Sequence, residues 1–223
     1  MSDLDVNNCE FPENVLYDEE FYVWVKVEKS YALLGITSIQ SALAGKLREV
    51  KLKQVGALIS KGQSVATIES ARFFGAVRTP LTGVLVEVNG KLEKEPKLAN
   101  DDPYHQGWIA KLQPESLQED SARLQTVKEA QSKVESQVRE LGVRCFKVFP
   151  DYEMWEIGTE CAVVLSKLNE LMEQYKVGDV VHVVSDDKFA DIEIARWSDQ
   201  TEQSVLESRP EGKLMHFIIK KVK

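Results

Sequence analysis

Closely spaced turn residues cut the first half of the chain into short pieces, and this constrains the fold more than any other feature. Gly56, Lys61-Gly62, Thr82-Gly83, Asn89-Gly90 and Asp102-Pro103 supply the breaks. From Phe21 onward the runs between them are rich in β-branched and aromatic residues, as in Tyr22-Val23-Trp24-Val25-Lys26-Val27. Similar runs recur at 32–36, 46–52, 64–68, 75–78, 83–88 and 107–112, with a short helix expected at 38–43. Many short strands at such spacing predict an antiparallel sandwich or barrel-like domain. Residues 1–14 are polar and acidic, are interrupted by Pro12, and read as a loose lead-in.

The pattern changes after Pro114. Residues 115–141 contain neither Gly nor Pro, and Leu124, Val127, Val134, Val138 and Leu141 make one apolar stripe at helical spacing. A long connecting helix over 115–142, ended by Gly142, is expected. Its stripe suits either packing on its own domain or a homodimer seam through 115–141. Residues 143–223 read as a strand at 151–157, a helix at 161–175, a strand at 180–184, a helix at 186–200 and a closing hairpin. The hairpin pairs 204–207 with 214–222 around Arg209-Pro210-Glu211-Gly212. The order βαβαββ predicts a two-layer sandwich, so the fold class is α+β with domains at 15–114 and 143–223.

The chain has 28 Lys and Arg against 36 Asp and Glu, a formal charge of −8. No stretch carries a large field of one sign, so nucleic-acid binding is not expected. Lys46, Arg48, Lys51 and Lys53 read as a solvated strand face. No apolar run approaches the length of a membrane span, and the N-terminus has no secretory pattern. Cys9, Cys145 and Cys161 are an odd number and far apart, so no disulfide framework is expected and a reducing cytoplasm is the simplest compartment. His105, His182 and His216 are isolated and lack metal-ligand spacing, so no metal is expected.

Several blocks stand out: Leu16-Tyr17 with Trp24-Val25, Gly35-Ile36-Thr37 with Gln40, Gly56, Ile68-Glu69-Ser70-Ala71-Arg72, the segment 79–89, and the segment 96–109 ending in Gly107-Trp108-Ile109. Together they resemble the glycine cleavage system H-protein family. Their order covers about 15–113. The resemblance implies a lipoyl/biotinyl-type β-sandwich, or barrel-sandwich hybrid. It also implies a hairpin tip at which an E-S-x-K lysine carries lipoate and shuttles groups between enzymes. Here the tip reads Glu69-Ser70-Ala71-Arg72, and no lysine lies between Lys61 and Lys91. A guanidinium keeps its proton and delocalises its lone pair, so Arg72 is not the nucleophile an amide linkage needs. The histidine of the family's N-terminal signature is replaced in a region that reads Phe21-Tyr22. The expectation is that no cofactor is carried and that lipoate is not attached at Arg72.

Residues 150–223 resemble, more weakly, the TusA/SirA sulfur-carrier family. The match is Gly158-Thr159-Glu160-Cys161 before a helix, then Lys176-Val177-Gly178-Asp179, Ser185-Asp186-Asp187, Asp191-Ile192 and Trp197. That family carries a persulfide on the cysteine of C-P-x-P, whereas this chain reads Cys161-Ala162-Val163-Val164. Cys161 is therefore read as a small half-buried hydrophobe, a sulfur carrier or a residue with another redox role. The leading function is a non-enzymatic binding or adaptor module coupled to a sulfur-carrier-like domain. A persulfide carrier using Cys161 and a lipoate-dependent carrier of the glycine cleavage type are the alternatives. Partners are expected among proteins, such as enzymes of lipoate or sulfur metabolism.

Overall fold

The structure, a computed structural model, describes residues 3–20 and 22–223. Met1 and Ser2 of the expected lead-in, and Phe21, lie outside the described residues. The chain divides into two compact units, 1–145 and 146–223.

The first unit opens with β1 (Leu4–Val6), β2 (Cys9–Phe11), β3 (Leu16–Asp18), β4 (Val23–Glu28), β5 (Tyr31–Ile36) and helix α1 (Ser38–Ala44). Then come β6 (Leu47–Leu52), β7 (Leu58–Ile59), β8 (Ser64–Ser70), β9 (Phe74–Arg78) and β10 (Gly83–Val88). One-turn helix α2 (Leu98–Asp101), β11 (Ala110–Pro114), one-turn helix α3 (Leu117–Asp120) and α4 (Val127–Glu140) complete it. A six-stranded sheet runs β3-β4-β5-β11-β10-β7, and a three-stranded sheet runs β6-β8-β9. Val23, Val25, Leu34 and Ile36 of the larger sheet share one buried cluster with Val50, Ile68 and Val77 of the smaller. Trp24 points the other way, into a second cluster with Phe11, Tyr17, Val134 and Val138. The strand β4 is thus buried on both faces, which is why it reads almost without a polar residue until Lys26.

Trp24 is directly opposite Gly35 in the antiparallel ladder. A Cβ at Gly35 would lie 2.7 Å from the indole. Only a glycine lets the β5 backbone pass the ring at this distance.

Four expectations about the first unit need correction. Within the expected loose lead-in of 1–14, the described residues are ordered: β1 and β2 form a hairpin turned by Asn7 and Asn8, both at positive φ (54° and 61°), and Cys9 and Phe11 are buried. These strands are too short for alternation to reveal, but the paired Asn turn is a hairpin signal. The helix at 115–141 is broken. Leu124 is extended, and the long helix begins only after Thr126, whose hydroxyl and the Glu129 carboxylate form a reciprocal capping box. Absence of Gly and Pro permits a helix, but this local cap decides where it starts. The stripe Val127, Val134 and Val138 is buried against Phe11, Tyr17 and Trp24, so it is no free seam for a homodimer, and α4 belongs to the first unit rather than connecting two.

The fourth correction concerns the cysteines. Cys9 and Cys145 form a disulfide with Cα atoms 4.9 Å apart across 136 positions of sequence. The chain after α4 returns past the first hairpin, where Asn7 Nδ2 donates to the Val143 carbonyl at 2.7 Å. That return is invisible in sequence spacing. A disulfide of this kind is one that a reducing compartment does not favour. Among the described residues, no helix is long and apolar enough to cross a membrane.

The second unit contains β12 (Tyr152–Glu156), α5 (Cys161–Gln174), β13 (Val180–Ser185), α6 (Ala190–Thr201), β14 (Ser204–Glu211) and β15 (Leu214–Lys220). The sheet order is β12-β13-β15-β14, with β12 parallel to β13 and the other pairs antiparallel. Val164, Leu168, Met172, Ile194 and Trp197 of the helices pack on Val181, Val183, Phe217 and Ile219. Arg209-Pro210-Glu211 is not turn but the end of β14, and the reversal is at Gly212 (φ +61°). Pro210 is tolerated because β14 is an edge strand.

The disulfide closes a very long loop, for which chain-entropy reasoning gives stabilisation of about 2–5 kcal/mol. Thermal unfolding of the full chain, followed by near-ultraviolet circular dichroism, should therefore shift to lower temperature under reductant. Cys9→Ser should show the same shift without reductant and no further response to it. An unchanged midpoint in both would remove the disulfide from the fold's stability.

Candidate functional site

The segment expected to carry chemistry forms the tip between β8 and β9. Ser70 is its hub. Its hydroxyl donates to the Ala44 carbonyl at 2.6 Å and accepts from the backbone N–H groups of Arg72 and Phe73, both at 3.1 Å. Its own N–H donates to the Phe73 carbonyl at 2.8 Å. A serine at this position turns the hairpin by satisfying the tip's free donors. Arg72 is exposed, and its guanidinium donates to the Ala42 carbonyl at 2.9 Å. Glu69 is exposed and pairs in register with Phe74, itself 71% exposed.

The far end of α1 receives both tip residues. Gly45 caps the helix at φ +73°, and a Cβ there would lie 2.8 Å from Arg72 Nε. Asn100, buried, donates to Ser41 Oγ (3.0 Å) and the Gly45 carbonyl (3.1 Å) and accepts from Leu47 N–H (2.9 Å). Gly45, Asn100 and the α1 carbonyls pack or bond around the tip, contacts that reading the tip sequence alone misses. The only sequence signal was Asn100 within the quoted block 96–109. Arg72 offers donors but no primary amine, so the residues at this tip do not fit an amide-linked group. The tip can hold a carbonyl or a carboxylate.

Cys161 is the first residue of α5 and is 6% exposed. Its N–H donates to Asp187 Oδ2 at 3.0 Å, so a carboxylate already occupies the helix N-terminus. Burial, then the charges of Asp187 and Glu193, push the thiol above its ordinary range. Hydrogen bonds from the N–H groups of Phe189 and Cys161 hold the Asp187 carboxyl below its own. Arg72 belongs to the first unit and Cys161 to the second.

Two histidines read as isolated are in fact partners. His182 Nε2 and His216 Nδ1 are 2.9 Å apart and both rings are buried, because β13 and β15 are adjacent. Phe146 covers His182 with ring centroids 4.5 Å apart, and Trp155 approaches both edge-on. His216 Nε2 lies 3.3 Å from a Glu211 carboxylate oxygen. Among the described residues, no group of three or more His, Cys, Asp or Glu is arranged to hold a metal ion.

Residues 15–137 match the family described as Glycine cleavage H-protein. The match extends past residue 113, where the resemblance read from motifs stops, and takes in most of α4. Glycine cleavage system H protein 5 of Aquifex aeolicus is 41% identical over 145 residues, covering 63% of this chain and 98% of that relative. The probable glycine cleavage system H protein 2 of Sulfolobus acidocaldarius is 40% identical over 141 residues, 62% and 94% of the two chains. The crystal structure of a glycine cleavage system H protein from Mycobacterium marinum superposes with a TM-score of 0.50 at 27% identity, covering 60% of this chain and all of that one.

The Cys161 environment makes a prediction about reactivity. A thiol whose pKa is raised on folding adds stability below its unfolded pKa and loses it as pH rises through the folded value. Iodoacetamide should label native Cys161 more slowly at pH 8 than the urea-unfolded chain. Asp187→Asn removes a charge that raises the thiol's pKa and should speed native labelling. Labelling at the unfolded rate in the native protein would contradict the buried thiol.

Proposed function

Because the chain belongs to the glycine cleavage H-protein family, whose members are lipoyl carrier proteins rather than enzymes, we propose that it acts as a non-catalytic docking module. It is an adaptor that presents the Arg72 tip to a partner enzyme. H-proteins interact with the enzymes of the glycine cleavage system, which gives the class of partner. The observation that carries the reading is the pinned tip. Ser70 bonds the Ala44 carbonyl and Arg72 the Ala42 carbonyl. A surface ordered before contact loses less entropy on binding than one ordered by it.

The expectation that no cofactor, lipoate included, is carried is corrected by the family itself. H-proteins carry lipoate on a lysine, and the relatives are named as H proteins. In this chain the role assigned to residue 72 is recognition. A guanidinium is a planar fork of donors suited to a carboxylate or carbonyl on a partner.

The order β-α-β-α-β-β of residues 146–223 and the position of Cys161 at the start of α5 support the TusA/SirA-like reading of the second unit. Persulfide carriage through Cys161 has less support, since burial and Asp187 favour the protonated thiol. The adaptor reading is therefore preferred.

Surface plasmon resonance of the full chain against the enzymes of a glycine cleavage system tests the adaptor. At least one should bind, and Arg72→Glu should weaken that binding at least tenfold, about 1.4 kcal/mol. No binding by any of them, or binding indifferent to Arg72→Glu, overturns the reading. A second measurement addresses the tip's geometry. Arg72→Lys restores a primary amine on the same hairpin, and a lipoyl ligase should add a lipoyl mass to the tip peptide of that variant. A folded Arg72→Lys chain left unmodified would mean that the hairpin no longer has the family's attachment geometry.

A further inference from the structure

A groove of about 490 Å³ opens beside the tip, lined by Lys46, Leu47, Arg48, Lys94, Pro96, Lys97 and their neighbours. Four of the lining residues are cationic and two, Glu95 and Asp101, are acidic, in a chain whose formal charge is −8. Lys97 is half-buried and pairs with Asp101 at 3.5 Å. Arg48 and Lys94 stand exposed, and neither forms an ion pair among the described residues. The floor is rigid, because buried Asn100 accepts from the Leu47 N–H and donates to the Gly45 carbonyl. The register sets Leu47 opposite Ser70, so Lys46 and Arg48 flank the strand end from which the Arg72 tip projects.

We propose that this groove is a docking site for an acidic segment of a partner protein. Charge complementarity selects the occupant. Two cations without internal partners, held at the rim of a fixed floor, favour carboxylates arriving from outside. The groove is open rather than enclosed, so it cannot bury most of a small anion's surface as a ligand pocket does. An extended segment crossing it reaches both Arg48 on one wall and Lys94 on the other. A nucleic acid is disfavoured, because its dense phosphates would meet the acidic remainder of the chain. The inference rests on the docking reading above and names the chemistry that the partner brings.

The probe is a synthetic hexapeptide alternating glutamate and leucine, titrated into isotope-labelled full-length chain and followed by amide chemical shifts. Shifts should concentrate at residues 46–48 and 94–98, and affinity should fall as salt rises. Arg48→Glu combined with Lys94→Glu should weaken binding at least tenfold. Both side chains are exposed, so the variant keeps the fold. Shifts confined elsewhere, equal affinity in the double variant, or tighter groove binding by an oligonucleotide of equal charge would each overturn the proposal. The two readings fail separately. Enzyme binding untouched by Arg48→Glu and Lys94→Glu removes the groove and leaves the adaptor. Peptide binding in the groove with no enzyme bound does the reverse.

Discussion

The contact between the Trp24 indole and the bare backbone of Gly35 is the constraint on which the first unit depends. Trp24 is fully buried, and a Cβ on Gly35 would stand 2.7 Å from its ring. Because β5 can pass so close, the indole is accommodated in one buried cluster with Phe11, Tyr17 and the valines of α4. Its Nε1–H donates to the Pro103 carbonyl at 3.0 Å, which anchors the turn holding Tyr104. Tyr104 in turn accepts from the Ser38 N–H at 3.1 Å at the start of α1. Burial drives its phenol well above the ordinary range, so it stays a neutral hydrogen-bonding post. The other end of α1 supplies the Ala42 and Ala44 carbonyls that hold the tip. A single aromatic plug thus connects core packing to the functional hairpin through contacts that are each short and directional.

The tip keeps a carrier's backbone and changes its chemistry. Ser70 satisfies the hairpin's own donors, so the turn does not depend on what stands at position 72. An amine on a flexible stem can be acylated and can swing. A guanidinium spreads its charge over a rigid fork, binds a carbonyl of its own helix, and cannot be acylated under the same conditions. With Lys46 and Arg48 beside it, the end of the hairpin becomes a fixed cationic edge on an acidic molecule. On the docking reading proposed above, this edge is what a partner meets.

In the second unit the titratable groups are managed by burial. Cys161 begins a helix, where free N–H groups ordinarily favour a thiolate. Asp187 occupies that terminus first, accepting from the Cys161 N–H itself, and its charge acts against the thiolate that the helix would stabilise. The His182–His216 pair, enclosed by Phe146 and approached by Trp155, satisfies two polar rings within a sheet face that would otherwise expel them.

Much of this was legible without coordinates. Turn residues and β-branched runs locate most strands of the first unit, because turn chemistry and strand propensity act over a few residues. The order of motifs identifies the family, and the position of Arg72 follows from Glu69-Ser70-Ala71-Arg72 alone. The alternation of helix and strand after residue 150 likewise gives the second unit its element order. Tertiary structure alone decided the rest. It joined Cys9 to Cys145, paired His182 with His216, turned the α4 stripe onto Trp24 rather than onto a second chain, and set Asp187 against the Cys161 helix. Each of these joins residues far apart in sequence, and no local propensity encodes such a distance. Which partner a buried side chain meets is fixed only when distant elements close on one another, since the cost of an unsatisfied polar group or an uncovered apolar face is settled by the whole packed unit.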